Sequence, residues 1–235
     1  MKRPLGILFD LGDTVLEYYY NNTLDGTKKI LENSINPYNA TAEEIQELAG
    51  KLTEETFGKR DVTDIEVNIQ SFQRLLYENF NIEFKVNLLE IEKIFCMNAF
   101  KSKPSEGVQA VFNILDEKKI KYAALSNSSF TSETLKYELK ESGLNTNFQF
   151  IMSSCDYCLR KPNKLLFDLA AKKLGVDPSD IWFIGDSYKY DMIGAKSAGM
   201  LPIFYNRKNS TVTKEMELLE VSSMYEIEKL IKEIK

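Results

Sequence analysis

Three short apolar runs, each stopping on a small polar or acidic residue, constrain this 235-residue chain more than any other feature. Gly6-Ile7-Leu8-Phe9 ends in Asp10 and continues into Leu11-Gly12-Asp13-Thr14. Tyr122-Ala123-Ala124-Leu125 ends in Ser126-Asn127. Ile181-Trp182-Phe183-Ile184 ends in Gly185-Asp186-Ser187, and Asp191 follows within the next turn of chain. Unbroken apolar runs of this length are the pattern of strands buried on both faces of a parallel sheet. In open α/β sheets, ligands bind outside the carboxyl ends of the strands. The sequence therefore predicts that Asp10, Ser126 and Asp186 meet at one edge of one sheet. Carboxylates gathered there, in a chain with no histidine, suit a hard cation held through oxygen.

Composition narrows the function without naming it. Hydrophobic residues make up 43% and charged residues 28%, which is ordinary globular usage. A net charge of −5 argues against nucleic acid or an anionic membrane as the partner. No apolar run approaches the ~20 residues of a membrane span. The start, Met1-Lys2-Arg3-Pro4, leads into a strand rather than a signal peptide. Three cysteines, an odd number, favour a reducing cytoplasmic setting. Without histidine there is no Ser-His-Asp or Cys-His triad, and the commonest general base is missing.

The chain divides by periodicity. Leu5–Phe9 reads as the first strand. From residue 17 to 97 the pattern turns helical, predicting an all-helical cap domain inserted into a core of residues 1–16 and 98–235. Within the cap, Leu24, Leu31 and Ile35 share a helix face. Thr41 with Glu44 reads as a capping box ahead of Ile45, Leu48 and Leu52, and Thr63 with Glu66 repeats it ahead of Ile69, Phe72, Leu76 and Phe80. A last cap helix carries Leu88, Ile91 and Phe95. Beyond it Pro104-Ser105 opens a helix, and strands are predicted at Tyr122–Leu125, Phe148–Met152, Ile181–Ile184 and Leu201–Tyr205. Helices at Ser132–Ser142, Lys164–Leu174, Asp191–Ala198 and Met224–Ile234 alternate with them. That rhythm means an α/β fold, a doubly wound, Rossmann-like parallel sheet.

Phe9-Asp10-Leu11-Gly12-Asp13-Thr14, Leu125-Ser126-Asn127, Arg160-Lys161-Pro162 and Gly185-Asp186 with Asp191, in that order, resemble the haloacid dehalogenase superfamily. Its members are mostly Mg²⁺-dependent phosphatases working through a phosphoaspartate, and one subgroup places its cap after the first strand. The resemblance implies Asp10 as nucleophile and Mg²⁺ held by Asp10, the Gly12 carbonyl and Asp186, with Asp191 as a further ligand or anchor. It implies Ser126 and the Asn127 amide as donors to the phosphoryl oxygens, and Lys161 as a fixed charge between Asp10 and that group. The substrate would be a small phosphorylated metabolite. One departure stands out. The family's phosphatases carry a second aspartate two positions after the nucleophile as general acid and base; here Gly12 occupies that place and Asp13 comes one later. Asp13 either substitutes for the acid or shapes the turn.

Plainer readings stand beside these. An aspartate at a strand end commonly caps a helix or forms a turn, as Asp191 would on its short helix. Lys161 fits a solvated turn, and Ser126 can satisfy its own backbone. Cys155-Asp156-Tyr157-Cys158 has redox or zinc spacing, but a zinc site needs two more ligands and only Cys96 remains. Tyr18-Tyr19-Tyr20 lines a substrate entrance or packs the hinge. Three other functions compete with the phosphatase. A metal-independent 2-haloacid dehalogenase would place neutral groups where Asp186 and Asp191 stand. A phosphonatase needs a cap lysine that no context marks out. A catalytically weak phospho-ligand-binding protein would not need Asp10, Lys161 and Asp186 intact.

Overall fold

The structure, a computed structural model, describes residues 2–211 and 216–234. Its core is a six-stranded parallel sheet. In chain order the strands are β1 (Gly6–Phe9), β6 (Lys121–Ser126), β7 (Ile151–Ser153), β8 (Ile181–Gly185), β9 (Leu201–Tyr205) and β10 (Leu219–Val221). Their order across the sheet is β10-β9-β8-β1-β6-β7. Period-two alternation splits the core between two faces. Ile7 and Phe9 pack with Tyr122, Ala124, Trp182 and Ile184 on one face, and Leu8 packs with Ala123, Leu125 and Phe183 on the other. Helices α6 (Val108–Glu117), α7 (Ser132–Glu141) and α11 (Met224–Glu233) cover the first face, and α9 (Lys164–Leu174) with α10 (Ile193–Ser197) covers the second. A single turn, α8 (Ser154–Tyr157), follows β7. The doubly wound α/β expectation holds.

Register explains why the three runs converge. Phe9 pairs with both Ala124 and Ile184, so Asp10, Ser126 and Asp186 leave the sheet within one residue of each other. Asp10 continues the ladder by donating its N–H to the Ile184 carbonyl at 2.9 Å.

Between β1 and β6 lies the cap. It holds α1 (Thr23–Glu32), α2 (Ala42–Thr56), α3 (Arg60–Thr63), α4 (Ile69–Glu78) and α5 (Leu88–Ala99). Ile30, Ile45, Leu76, Tyr77 and Ile91 form its own apolar cluster. The all-helical expectation needs correcting. β2 (Leu16–Asn21) pairs antiparallel with β5 (Phe100–Pro104) as a two-stranded connection to the core, and β3 (Ser34–Ile35) pairs with β4 (Glu83–Phe84). Tyr18, Tyr19 and Tyr20 lie in that connection, and the preference of aromatic residues for strands outweighs the helical pattern beyond them.

Further local readings change. The buried face of α1 is Gly26, Thr27 and Ile30, while Leu24 is half-buried and Ile35 is exposed in β3. Close approach of α5 sets that face: a Cβ on Gly26 would sit 2.7 Å from the Phe95 ring and 2.9 Å from the Ala99 methyl. The Thr41–Glu44 capping box is present, but Thr63–Glu66 is not one. Asn68 caps α4, accepting from the N–H groups of Gln70 (2.9 Å) and Ser71 (3.2 Å). Pro104 closes β5 instead of opening a helix; α6 starts after Gly107, whose φ of +83° few other residues adopt. The predicted strand at Phe148 begins only at Ile151, and β10, too short and polar to signal itself, is additional.

Candidate active site

The site assembles where β1, β6 and β8 end. Asp10, Gly12, Ser126, Asn127, Lys161 and Asp186 line a cavity of about 210 Å³ together with Arg160, Ser187, Tyr190 and Asp191. One carboxylate oxygen from each of Asp10, Asp186 and Asp191 lies within 4.8 Å of the others. Lys161, 2% exposed, donates to Asp10 Oδ1 and to Asp191 Oδ1, each at 2.6 Å. So the solvated-turn reading of Lys161 fails: its ammonium is the buried counter-charge of the cluster.

Backbone geometry holds that lysine in place. The Asn127 side chain accepts the Lys161 N–H at 2.7 Å and donates to the Lys161 carbonyl at 2.9 Å. Its carboxamide is thereby turned to the Lys161 backbone by both its oxygen and its nitrogen. Asp191 is bonded at both oxygens. Its Oδ2 accepts from the Ser187 N–H at 2.9 Å while its Oδ1 takes Lys161. It stands on a five-residue π-helical turn, Tyr188–Met192, of a kind often found at functional sites. Gly185 is required beneath it, because any Cβ there would strike the Asp191 carboxylate.

Three carboxylates against one ammonium leave excess negative charge in a shielded place. Burial, and then the repulsion of Asp191, raise the Asp10 pKa to about 6 against the pull of Lys161. Burial first, then Asp10, Asp191 and Asp13, raise Asp186 to about 7. For Lys161 burial works against the charge, but Asp10 and Asp191 outweigh it and its pKa is raised. Three clustered carboxylates beside one ammonium are a donor set whose charge a divalent cation would balance. The available donors are all oxygen, so the residues fit Mg²⁺, with Asp10, Asp186 and the Gly12 carbonyl as the groups that would hold it.

Asp13 goes elsewhere. It adopts φ +56°, a left-handed conformation that aspartate tolerates, and its Oδ2 pairs with Lys208 at 2.7 Å. It shapes the turn and faces the Lys208 loop. The space beside Gly12 belongs to Tyr18, whose ring would lie 3.6 Å from a Cβ at position 12. The Tyr18 hydroxyl donates to Glu138 at 2.9 Å, and burial raises both pKa values. Tyr18 thus borders Gly12 while staying partly exposed, Tyr19 is more exposed still, and Tyr20 bonds Asp25 within the connection. Cys155 is buried, its thiol pushed up to about 12 by burial, while Cys158 is exposed; both are free.

A network that sequence reasoning missed joins cap to core beside the site. Glu66, 6% exposed, pairs with Arg160, with Arg60 at 3.2 Å, and with the Ser154 hydroxyl at 2.6 Å. The available signal was Asn68 directly before the apolar run, which should have claimed the cap and freed Glu66 for another role.

A doubly wound sheet with an aspartate ending its central strand, a buried lysine and further aspartates across the edge defines a class of carboxylate-based hydrolases. Residues 7–205 match the sequence model of the haloacid dehalogenase-like hydrolases, and the chain belongs to that family. It is 28% identical over 204 residues to YhcW of Bacillus subtilis (strain 168), named as a candidate phosphatase, covering 85% of this chain and 89% of that one. The fold matches a 2-haloacid dehalogenase from Pseudomonas syringae pv. Tomato DC3000 at TM-score 0.67 and 19% identity, covering 99% of each chain. A HAD phosphatase from Thermococcus onnurineus matches at TM-score 0.63 and 22% identity, covering 100% of this chain and 99% of the other. The chain is a haloacid dehalogenase-like hydrolase. Among the described residues no helix is long and apolar enough to cross a membrane.

Proposed function

We propose that this hydrolase is a Mg²⁺-dependent phosphatase that cleaves small phosphomonoesters through an aspartyl phosphate on Asp10. The carrying observation is the convergence of Asp10, Asp186 and Asp191 around Lys161, more negative charge than one ammonium balances. A metal-independent dehalogenase has no use for that excess. The similarity to YhcW over most of both chains points the same way.

An Asp10 oxygen attacks phosphorus, forming the acyl phosphate and expelling the leaving group as its oxyanion, which takes a proton from solvent; water then hydrolyses the acyl phosphate and restores the carboxylate. Mg²⁺ would neutralise phosphoryl charge that otherwise repels the attacking carboxylate. Lys161, fixed by Asn127 and Asp191, keeps Asp10 ionised and presents positive charge to the phosphoryl oxygens. Ser126 and the Asn127 backbone N–H stand on the same wall to donate to those oxygens. With Gly12 at the acid position and Asp13 paired to Lys208, the leaving oxygen departs largely unprotonated. Loss of a positioned acid typically costs about 10²- to 10⁴-fold, so acyl and aryl phosphates should be better substrates than alkyl phosphates.

The test is phosphate release from acyl, aryl, sugar and nucleoside phosphates with Mg²⁺ or with chelator, beside halide release from 2-chloropropionate. Mg²⁺-dependent phosphate release is expected. Halide release unaffected by chelator would replace this reading with the dehalogenase.

A further inference from the structure

The cap encloses a second cavity, of about 530 Å³, that the catalytic chemistry does not use. Six aromatic residues stand in its wall: Phe57, Phe72, Tyr77, Phe95, Phe100 and Phe130. Among them stands Gln73 of α4, 2% exposed, whose carboxamide nitrogen and oxygen both lack a hydrogen-bond partner among the described residues. Buried amides are nearly always bonded, and leaving both ends of one unbonded is a standing cost to stability. A residue whose only task was to fill the cap would carry less penalty as leucine or methionine.

The cavity is also tied to the Asp10 site through side chains. Its core-side wall is Ser129 and Phe130, on the loop by which the chain leaves β6 just past Ser126. Arg60, on the cap side of the same cavity, donates to the Ser129 hydroxyl at 3.0 Å and pairs with Glu66, which in turn holds Arg160 at the edge of the Asp10 cavity. The Arg60–Glu66–Arg160 network thus links the wall of the chamber to the wall of the Asp10 cavity.

A primary amide presents a donor and an acceptor side by side, and aromatic walls favour a flat unsaturated ring. We propose that the chamber binds the heterocycle of a nucleoside monophosphate, Gln73 reading its hydrogen-bonding edge, so that nucleoside monophosphates are the substrate class. The assignment of a substrate rests on the phosphatase reading above; the ligand of the chamber does not.

Two experiments separate them. Calorimetric titration of the full chain with uridine, cytidine, adenosine and guanosine, and with ribose as control, reads the chamber without catalysis. At least one nucleoside should bind saturably and ribose should not. Gln73→Leu should weaken that binding at least tenfold while melting no lower than the parent. Gly50→Leu, at the exposed rim of the cavity where no atom lies within 4 Å of a Cβ, should also weaken it while gaining helix propensity. In turnover, Gln73→Leu should lower the ratio of kcat/KM for the bound nucleoside's monophosphate to that for acetyl phosphate at least tenfold, mainly through KM. Failure of every nucleoside to bind, or binding untouched by both variants, would overturn the proposal. Nucleoside binding without turnover of any phosphate would overturn the catalytic reading and leave the chamber's ligand class supported.

Discussion

The sheet edge and the cap interior both bury polar groups, but they do so in opposite ways. At the edge, Lys161 is bonded to Asp10 and Asp191, and Asp191 and Asn127 have their bonding atoms committed, so charge is arranged with few free parts. In the cap, Gln73 stands in a chamber walled in part by aromatic rings, with neither end bonded among the described residues. The edge is preorganised toward one charge distribution, as electrostatic catalysis requires. The cap leaves a complementarity to be completed. One region fixes the reaction, and the other is left to choose what undergoes it.

That contrast is most exposed at Asp10. Asp10→Asn keeps the shape but cannot attack phosphorus, and turnover should vanish while the fold persists, measured by phosphate release and circular dichroism. A variant retaining a tenth of parental activity would end the view of the edge as a phosphoaspartate site.

Next come the charges around it. Asp186→Ala should abolish the Mg²⁺ dependence along with nearly all activity, since Asp186 has no bond to Lys161 and remains free for the cation. Asp191→Ala should instead act through Lys161, lowering kcat with the apparent Mg²⁺ affinity less changed. Titrating activity against Mg²⁺ for both variants checks the difference; identical shifts would erase the distinction between ligand and anchor.

Glu66 tests whether edge and cap are joined as described. Glu66→Ala strands Arg160 beside the site and should cost roughly 3–5 kcal/mol, the scale for breaking a buried pair, as read by urea unfolding. A loss within about 0.5 kcal/mol, ordinary for surface changes, would mean the network carries no structural weight.

The smallest effect expected is on pH. Asp10 near 6 and Asp186 near 7 stand above the ordinary 3.8, so the folded metal-free protein holds protons that the unfolded chain has released. Their contribution is fully present below about pH 4 and is lost as pH rises through about 6 and then 7. Tm without metal should decline across that window, and added Mg²⁺ should raise Tm more at pH 8 than at pH 5 because it competes with those protons. A Tm increment from Mg²⁺ equal at both values would contradict an all-carboxylate site.

The same contrast explains what the sequence disclosed. Asp10, Ser126 and Asp186 each end an apolar run, so strand register alone brings them together and local pattern reveals them. Lys161 and Asn127 came from family resemblance; only the folded chain shows the Asn127 side chain bonded to the lysine backbone. Asp13 illustrates the limit of position along the chain. One residue from the expected acid, it turns through a positive φ and pairs with Lys208, a partner remote in sequence. The cap chamber was hidden for another reason. Phe72, Gln73, Leu76 and Tyr77 recur at helical spacing like any packed face, and nothing local distinguishes a residue against a neighbour from one against a void.

The central claim is that Asp10 carries the phosphoryl group. Acid quenching during turnover of acetyl phosphate with Mg²⁺, followed by peptide mass spectrometry, tests it directly. The phosphatase reading predicts a phosphoryl adduct on the peptide containing Asp10, absent in chelator and in Asp10→Asn. Steady Mg²⁺-dependent phosphate release with that peptide never modified would contradict it.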